Sequence, residues 1–155
     1  VRYMGFYTSK MNYYLVMEHG GNGMFEFVVK AHELIQRGQI LISEWHKMCK
    51  MIFKQMIECI EYLHSKNICH MDISCENWLI KDVPVIVQST PNGLKIQFQC
   101  DQVQVKLCDF GLAEMFDERS SFECNKYCGK TNYKSPEIIS KKKKFNAKSN
   151  DIWCL

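Results

Sequence analysis

His70-Met71-Asp72-Ile73-Ser74-Cys75-Glu76-Asn77 sets a carboxylate and an amide five residues apart, between the apolar runs Ile68-Cys69 and Trp78-Leu79-Ile80. Two more stretches follow it in order. Cys108-Asp109-Phe110-Gly111 adds a second Asp, and Gly129-Lys130-Thr131-Asn132-Tyr133-Lys134-Ser135-Pro136-Glu137 adds a polar segment closed by Pro-Glu. Carboxylate and amide oxygens are ligands that a hard divalent cation prefers, and a separate carboxylate can then face a hydroxyl. A core His, two solvated acids and a turn would account for each stretch singly, but not for their order.

Composition sets wide bounds. The 155 residues are 46% apolar with a formal charge of +3, which allows one buried core and creates no field strong enough to point to nucleic acid. Nine cysteines are scattered without a C-x-x-C pair and read as free thiols in a reducing compartment. Cys124 and Cys128 would be half of a metal site, but no second pair has ligand spacing. Cys69, His70 and Asp72 suggest a thiol hydrolase, yet adjacent residues rarely converge on one substrate. No apolar run approaches the ~20 residues of a membrane span, and no charged-then-apolar signal opens the chain. An intracellular location, cytoplasmic or nuclear, is the expectation, with no membrane partner.

Arg2 to Tyr7 and Tyr13 to Glu18 are rich in aromatic and β-branched residues around the polar Thr8-Ser9-Lys10, which predicts an antiparallel hairpin. Gly20-Gly21-Asn22-Gly23 lacks the order and setting of a phosphate-cradling loop, so a flexible hinge and helix start is expected there. Met24 to His32 is expected to form a short helix, and Ser43 to cap the next, with Glu44 near the positive end of its dipole. Trp45, Met48, Cys49, Ile52, Met56, Ile60 and Leu63 then recur at helical spacing and predict a core-facing stripe. His64 has no visible partner and reads as structural, and Asn67 reads as a left-handed cap.

Val85-Ile86-Val87 and the alternating Leu94, Ile96, Phe98 and Cys100 flank Pro91-Asn92-Gly93, whose Asn-Gly favours a tight hairpin turn. Val103, Val105 and Leu107 alternate with Gln104 and Lys106 to give a strand that leads to Asp109. Asp117 to Cys128 is polar and aperiodic, as a mobile loop would be, with Ser120, Ser121 and Tyr127 open to phosphorylation. Lys141 to Lys144 reads as a solvated face, with attraction of acidic substrates as the alternative.

In their order, the three opening stretches resemble the catalytic loop, metal-binding loop and activation-segment end of eukaryotic protein kinases. The resemblance implies an α+β fold, mostly the helical large lobe with the last hairpin of the small-lobe sheet. Residues 1–18 would end the small lobe, 19–23 form the hinge and 24–155 make an incomplete large lobe with a hairpin insertion at 82–102. The insertion is expected on the surface away from the chemistry, with a docking role as the alternative. ATP and Mg2+ are the implied cofactors, and a protein with a Ser/Thr acceptor is the implied partner. Asp72 would accept the proton of the substrate hydroxyl, while Asn77 and Asp109 would hold the metal. Met17, Glu18, Gly20 and Leu79 would bound the nucleotide, Met17 at the back of its pocket and Leu79 as the floor under adenine. His70 and Phe110 would pack in the column joining the lobes, Glu76 would face a basic group N-terminal to the acceptor, and Asp151 would hold the catalytic loop's backbone.

Three departures from the family pattern carry as much meaning as the matches. Val1 and Leu155 are not obvious natural ends, so the chain is expected to be a piece of something longer. The Gly-rich loop, strand Lys and helix Glu would lie in a preceding part, and the piece alone is not expected to transfer phosphate efficiently. Met71 replaces the Arg that in many kinases clamps a phosphorylated loop. Ser74 stands where a catalytic-loop Lys would contact the γ-phosphate, and Lys130 stands where a Thr would follow the Gly of the segment end. The hydroxyl and the ammonium have changed places, which makes Lys130 a candidate to meet the γ-phosphate and Asp72 from the opposite wall. An exposed Lys beside a degraded loop is the competing reading. Glu76-Asn77 after Ser74, without the Ala-Arg of tyrosine kinases, favours Ser/Thr acceptors. A pseudokinase scaffold is the alternative from another class. A small-molecule phosphotransferase of related fold fits the Ser-Pro-Glu segment less well.

Overall fold

The strongest apolar stripe becomes the longest helix. The computed structural model describes residues 1–117, 121–141 and 144–155. In chain order it contains β1 (Tyr3–Thr8), β2 (Tyr13–Met17), β3 (Asn22–Gly23), α1 (Met24–Gln36), α2 (Ile42–Ser65), β4 (Ile68–Cys69), β5 (Trp78–Lys81), β6 (Val85–Thr90) and β7 (Gly93–Phe98). After these come β8 (Gln104–Leu107), β9 (Glu114–Met115), β10 (Glu123–Cys124), α3 (Pro136–Ile139), β11 (Phe145–Asn146) and α4 (Ala147–Cys154). Helix α2 buries Met48, Ile52, Ile60 and Leu63, with Trp45 and Met56 packed against the same core. Each fully buried side chain of this size contributes roughly 1.5–3 kcal/mol relative to exposure.

Two helix boundaries differ from the sequence expectation. Ser43 does not cap α2: the N-cap is Leu41, whose carbonyl accepts from the N–H groups of Glu44 and Trp45 at 3.0 and 3.1 Å. The entry is set by burial instead, because Ile40 and Trp45 flank that cap at the two positions of a hydrophobic staple and both join the core. Helix α1 runs past His32 to Gln36, since Leu34 and Ile35 also pack on the core. At the other end of α2, Asn67 takes φ 58, the left-handed conformation expected of it.

Strand β5 is central in the three-stranded sheet β3-β5-β8, and its Trp78 and Ile80 are buried. Antiparallel pairing of Trp78 with Leu107 sets the residues flanking those strands, Asn77 and Cys108, side by side. This register brings the first two chemistry-bearing stretches together. Strands β1 and β2 form the expected hairpin, but its apolar residues, Phe6, Leu15 and Val16 among them, are exposed.

The inserted hairpin β6-β7 forms as expected with a shifted turn. Thr90 pairs with Gly93, so Pro91 and Asn92 make the two-residue loop and Gly93, at φ 107, already belongs to the strand. The insertion is not confined to the surface. Phe98 is buried against Phe27 and Trp45, with ring centroids 6.2 and 6.5 Å away, and Ile96 N–H donates to the Gln39 carbonyl at 2.8 Å. A groove of about 270 Å³ runs beside it, lined by Gln39, Leu41, Glu44, Gln88, Lys95 and Ile96 among others.

A second buried cluster contains Cys69, Met71, Cys124, Cys128, Ile138, Phe145 and Ala147. It docks residues 121–128, expected as mobile, through Cys124, Cys128 and the β10-β11 pairing. Their polar appearance hid the thiols, which bury as small apolar groups. Lys144 pairs with Glu123 at 2.8 Å, whereas Ser120, Lys142 and Lys143 lie outside the described residues. All nine cysteines are free. Among the described residues no helix is long and apolar enough to cross a membrane.

Candidate active site

The loop between β4 and β5 is held from below by one carboxylate. Asp151, fully buried on α4, accepts from His70 N–H through Oδ2 at 2.8 Å and from Met71 N–H through Oδ1 at 2.9 Å. His64 Nε2 donates to Oδ2 at 3.0 Å, so the expectation that His64 stands without a partner is corrected. Sequence could not supply that partner, which is 87 residues away. Burial pushes the neighbouring Cys69 thiol up to about 12, with the Asp151 charge adding to the effect. A thiol held protonated and fully buried is not a nucleophile, and the hydrolase alternative loses its reactive group.

Above that anchor, the two residues of the first stretch meet. Asn77 Nδ2 donates to the Asp72 carbonyl at 2.7 Å and to Asp72 Oδ2 at 3.0 Å. Its amide oxygen is thereby left as an acceptor. Asp72 N–H donates to His70 Nδ1 at 3.3 Å, which puts the imidazole proton on Nε2 for its 3.0 Å bond to the Cys108 carbonyl. Cys108 N–H in turn donates to the Asn77 carbonyl at 2.9 Å. These bonds fix the stretch before Asp109 against the loop. Asp109 itself is exposed with φ 63, and one of its oxygens accepts from Gly111 N–H at 3.2 Å. The Phe110 ring meets His70 edge-on at 5.0 Å, as expected for that pair. The donor set, an amide oxygen from Asn77 and a carboxylate from Asp109, suits a hard divalent cation such as Mg2+.

On the side of the first hairpin, Gly20 lies so close to Leu79 that a Cβ would stand 2.4 Å from its Cδ1. Gly21, at φ 106, lies as close to the Ile80 backbone. Glu18 is tied down twice: it accepts from Arg2 N–H at 2.7 Å and from Lys106 Nζ at 2.8 Å. The Lys106 hydrogen bond, helped by that of Arg2, pulls the Glu18 carboxyl down to about 2. Met17, at the end of β2, is paired with Tyr3 and half exposed. Alternation marks Lys106 only as the polar side of a strand, and nothing in its spacing names Glu18 as its partner.

The third stretch closes over the loop. Tyr133 Oη accepts from Cys75 N–H at 3.3 Å, and Lys130 Nζ donates to Ser74 Oγ at 2.9 Å and to Glu76 Oε2. The exchanged residues Ser74 and Lys130 therefore touch. Glu76, expected to face a substrate base, is engaged by Lys130 instead. With side chains 35% and 66% exposed, this ion pair contributes about 0–1 kcal/mol, so it orients more than it stabilises. The Glu76 bond foremost raises the Lys130 ammonium above its ordinary range, and the charges of Asp72 and Asp109 add to it.

A family model described as "Protein kinase domain" matches residues 1–155. Among curated proteins, the probable serine/threonine-protein kinase MARK-A of Dictyostelium discoideum is 30% identical over 143 residues, which cover 92% of this chain and 10% of that protein. The DNA damage response protein kinase DUN1 of Saccharomyces cerevisiae is 34% identical over 138 residues, 86% of this chain and 24% of that protein. A carbon catabolite-derepressing protein kinase of Candida tropicalis is 29% identical over 145 residues, 94% and 18% of the two chains. The chain thus spans between about a tenth and a quarter of the length of these relatives.

Proposed function

The chain belongs to the protein kinase domain family, and on that premise we propose that the intact protein transfers the terminal phosphoryl group of ATP to Ser or Thr hydroxyls of protein substrates. The observation that carries this reading is the bonded pair of Asp72 and Asn77, tied through Cys108 to Asp109. In it, Asp72 takes the proton of the acceptor hydroxyl. That oxygen bonds to the terminal phosphorus as the bond to the bridging oxygen breaks, and the diphosphate leaves with the electron pair. Asn77 and Asp109 would hold Mg2+, which when bound neutralises phosphate charge. Met17, Glu18, Gly20 and Leu79 would bound the nucleotide, and the close packing of Gly20 on Leu79, which leaves no room for a Cβ, supports grouping those two.

Residues 1–18 then act as the end of a small lobe, 19–23 as a hinge and 24–155 as part of the large lobe. The exposed apolar face of the first hairpin supports this division, since a two-stranded hairpin alone is marginal in water. Thiols without disulfides suit an intracellular place of action. A pseudokinase scaffold is the second reading, favoured by Met71 and Ser74 at positions where the family carries Arg and Lys. Incubation of the intact protein with labelled ATP, Mg2+ and a protein acceptor separates the two. Phosphoserine or phosphothreonine is the expected product. Nucleotide binding without transfer would favour the scaffold.

A further inference from the structure

An ammonium has three N–H donors, and the structure assigns two of those of Lys130, to Ser74 and to Glu76. Ser74 is buried, so its hydroxyl is a fixed acceptor, and Tyr133, three residues after Lys130, holds the Cys75 backbone beside it. Tyr133 N–H also donates to the Lys130 carbonyl at 2.9 Å. Backbone and side chain of Lys130 are thus both referenced to the loop that carries Asp72. The charge is held in place before any ligand arrives, which is the condition under which a charge lowers a barrier.

We propose that Lys130 is a catalytic residue whose third donor meets the transferred phosphoryl group, and that Glu76 orients Lys130 and is thereby withdrawn from selecting basic substrates. The inference rests on the phosphotransfer reading and adds to it a role and a specificity. Lys130 lies in the field of three carboxylates, Asp72, Glu76 and Asp109. Without a cation at that point, bringing a triphosphate to Asp72 sets like charges against each other. An exposed Glu76 would ordinarily recruit a Lys or Arg of the acceptor peptide, but here its negative charge is already matched. Acceptor peptides with neutral and with basic residues before the Ser should therefore react with similar efficiency.

The test is steady-state kinetics of the intact protein with ATP, Mg2+ and paired peptides that differ only by Arg or Gln before the acceptor Ser. The wild type is expected to show a kcat/KM ratio for the pair within about fivefold of unity. Lys130→Ala should lower kcat about tenfold to a hundredfold. The same change should raise the Arg-to-Gln ratio, because it frees Glu76, so the ratio reads the masking of Glu76 while the fall in kcat reads the contact with the phosphoryl group. The double change Ser74→Lys with Lys130→Thr should recover more kcat than either single change. An active wild type with unchanged kcat in Lys130→Ala overturns the inference. So does a strong wild-type preference for the Arg peptide that Glu76→Gln abolishes. A wild type that transfers phosphate to no acceptor is a different outcome, and it refutes the phosphotransfer reading together with this inference.

Discussion

The backbone N–H of Met71 donates to Asp151 Oδ1 at 2.9 Å, which fixes a left-handed residue, φ 67, immediately before Asp72. A non-glycine residue in that conformation is strained and persists only where its surroundings hold it. Asp151→Ala would leave the buried N–H groups of His70 and Met71 without acceptors, at about 1–3 kcal/mol each. Asp151→Asn keeps one oxygen and should cost less. Urea unfolding of the three proteins checks the order, and equal stabilities would contradict it.

Met71 also answers a question of regulation. Its side chain is buried among Cys69, Cys124, Cys128 and Ile138, where it joins the loop to the segment before Gly129 by apolar contact. Met71→Arg should therefore destabilise the chain by roughly 3 kcal/mol or more, through an unpaired buried charge. In the intact protein, phosphatase treatment should leave most phosphotransfer in place, because Met71 offers no donors to a phosphate. Loss of activity on dephosphorylation, restored by phosphorylation of residues 117–128, would contradict this account.

The insertion makes a distinction that thermal unfolding can read. Phe98→Ala removes a buried ring packed on Trp45 and should cost about 3–5 kcal/mol. Pro91→Ala, at the tip, should stay within about 0.5 kcal/mol of the wild type. A neutral Phe98→Ala would mean that the hairpin is only an appendage.

Buried thiols give the chain an alkaline limit. Burial raises Cys69, Cys128 and Cys154 from 9.0 to about 12, 11 and 12. A folded value above the unfolded one means that the folded chain keeps its proton longer. The stabilising contribution is complete below pH 9 and is lost as pH rises toward 11 to 12. Unfolding free energy should fall from pH 8 to pH 10.5, and these thiols should resist iodoacetamide at pH 8 until urea is added. A flat profile with rapid alkylation of the native chain would contradict the burial.

Sequence carried what is local. The α2 stripe, the hairpins, the left-handed Asn67 and the order of the three stretches follow from spacing and residue type, and the structure keeps them. Illegible were the partnerships across long separations: His64 with Asp151, Glu18 with Lys106, and Glu76 with Lys130. No periodicity encodes such pairs, because tertiary packing chooses them. The Ser43 cap failed for a related reason. A side-chain cap signal competed with burial of Ile40, and burial of that size outweighs a cap of about 1 kcal/mol. Ser74 and Lys130 were legible as a pair only because both departed from one pattern.

Whether Asp72 takes the acceptor's proton is decided by Asp72→Asn in the intact protein. Phosphotransfer to a Ser peptide, nucleotide binding and thermal unfolding should be measured side by side. Transfer should fall about a hundredfold or more while folding and nucleotide binding stay near wild type. An Asp72→Asn protein that turns over at the wild-type rate would contradict it.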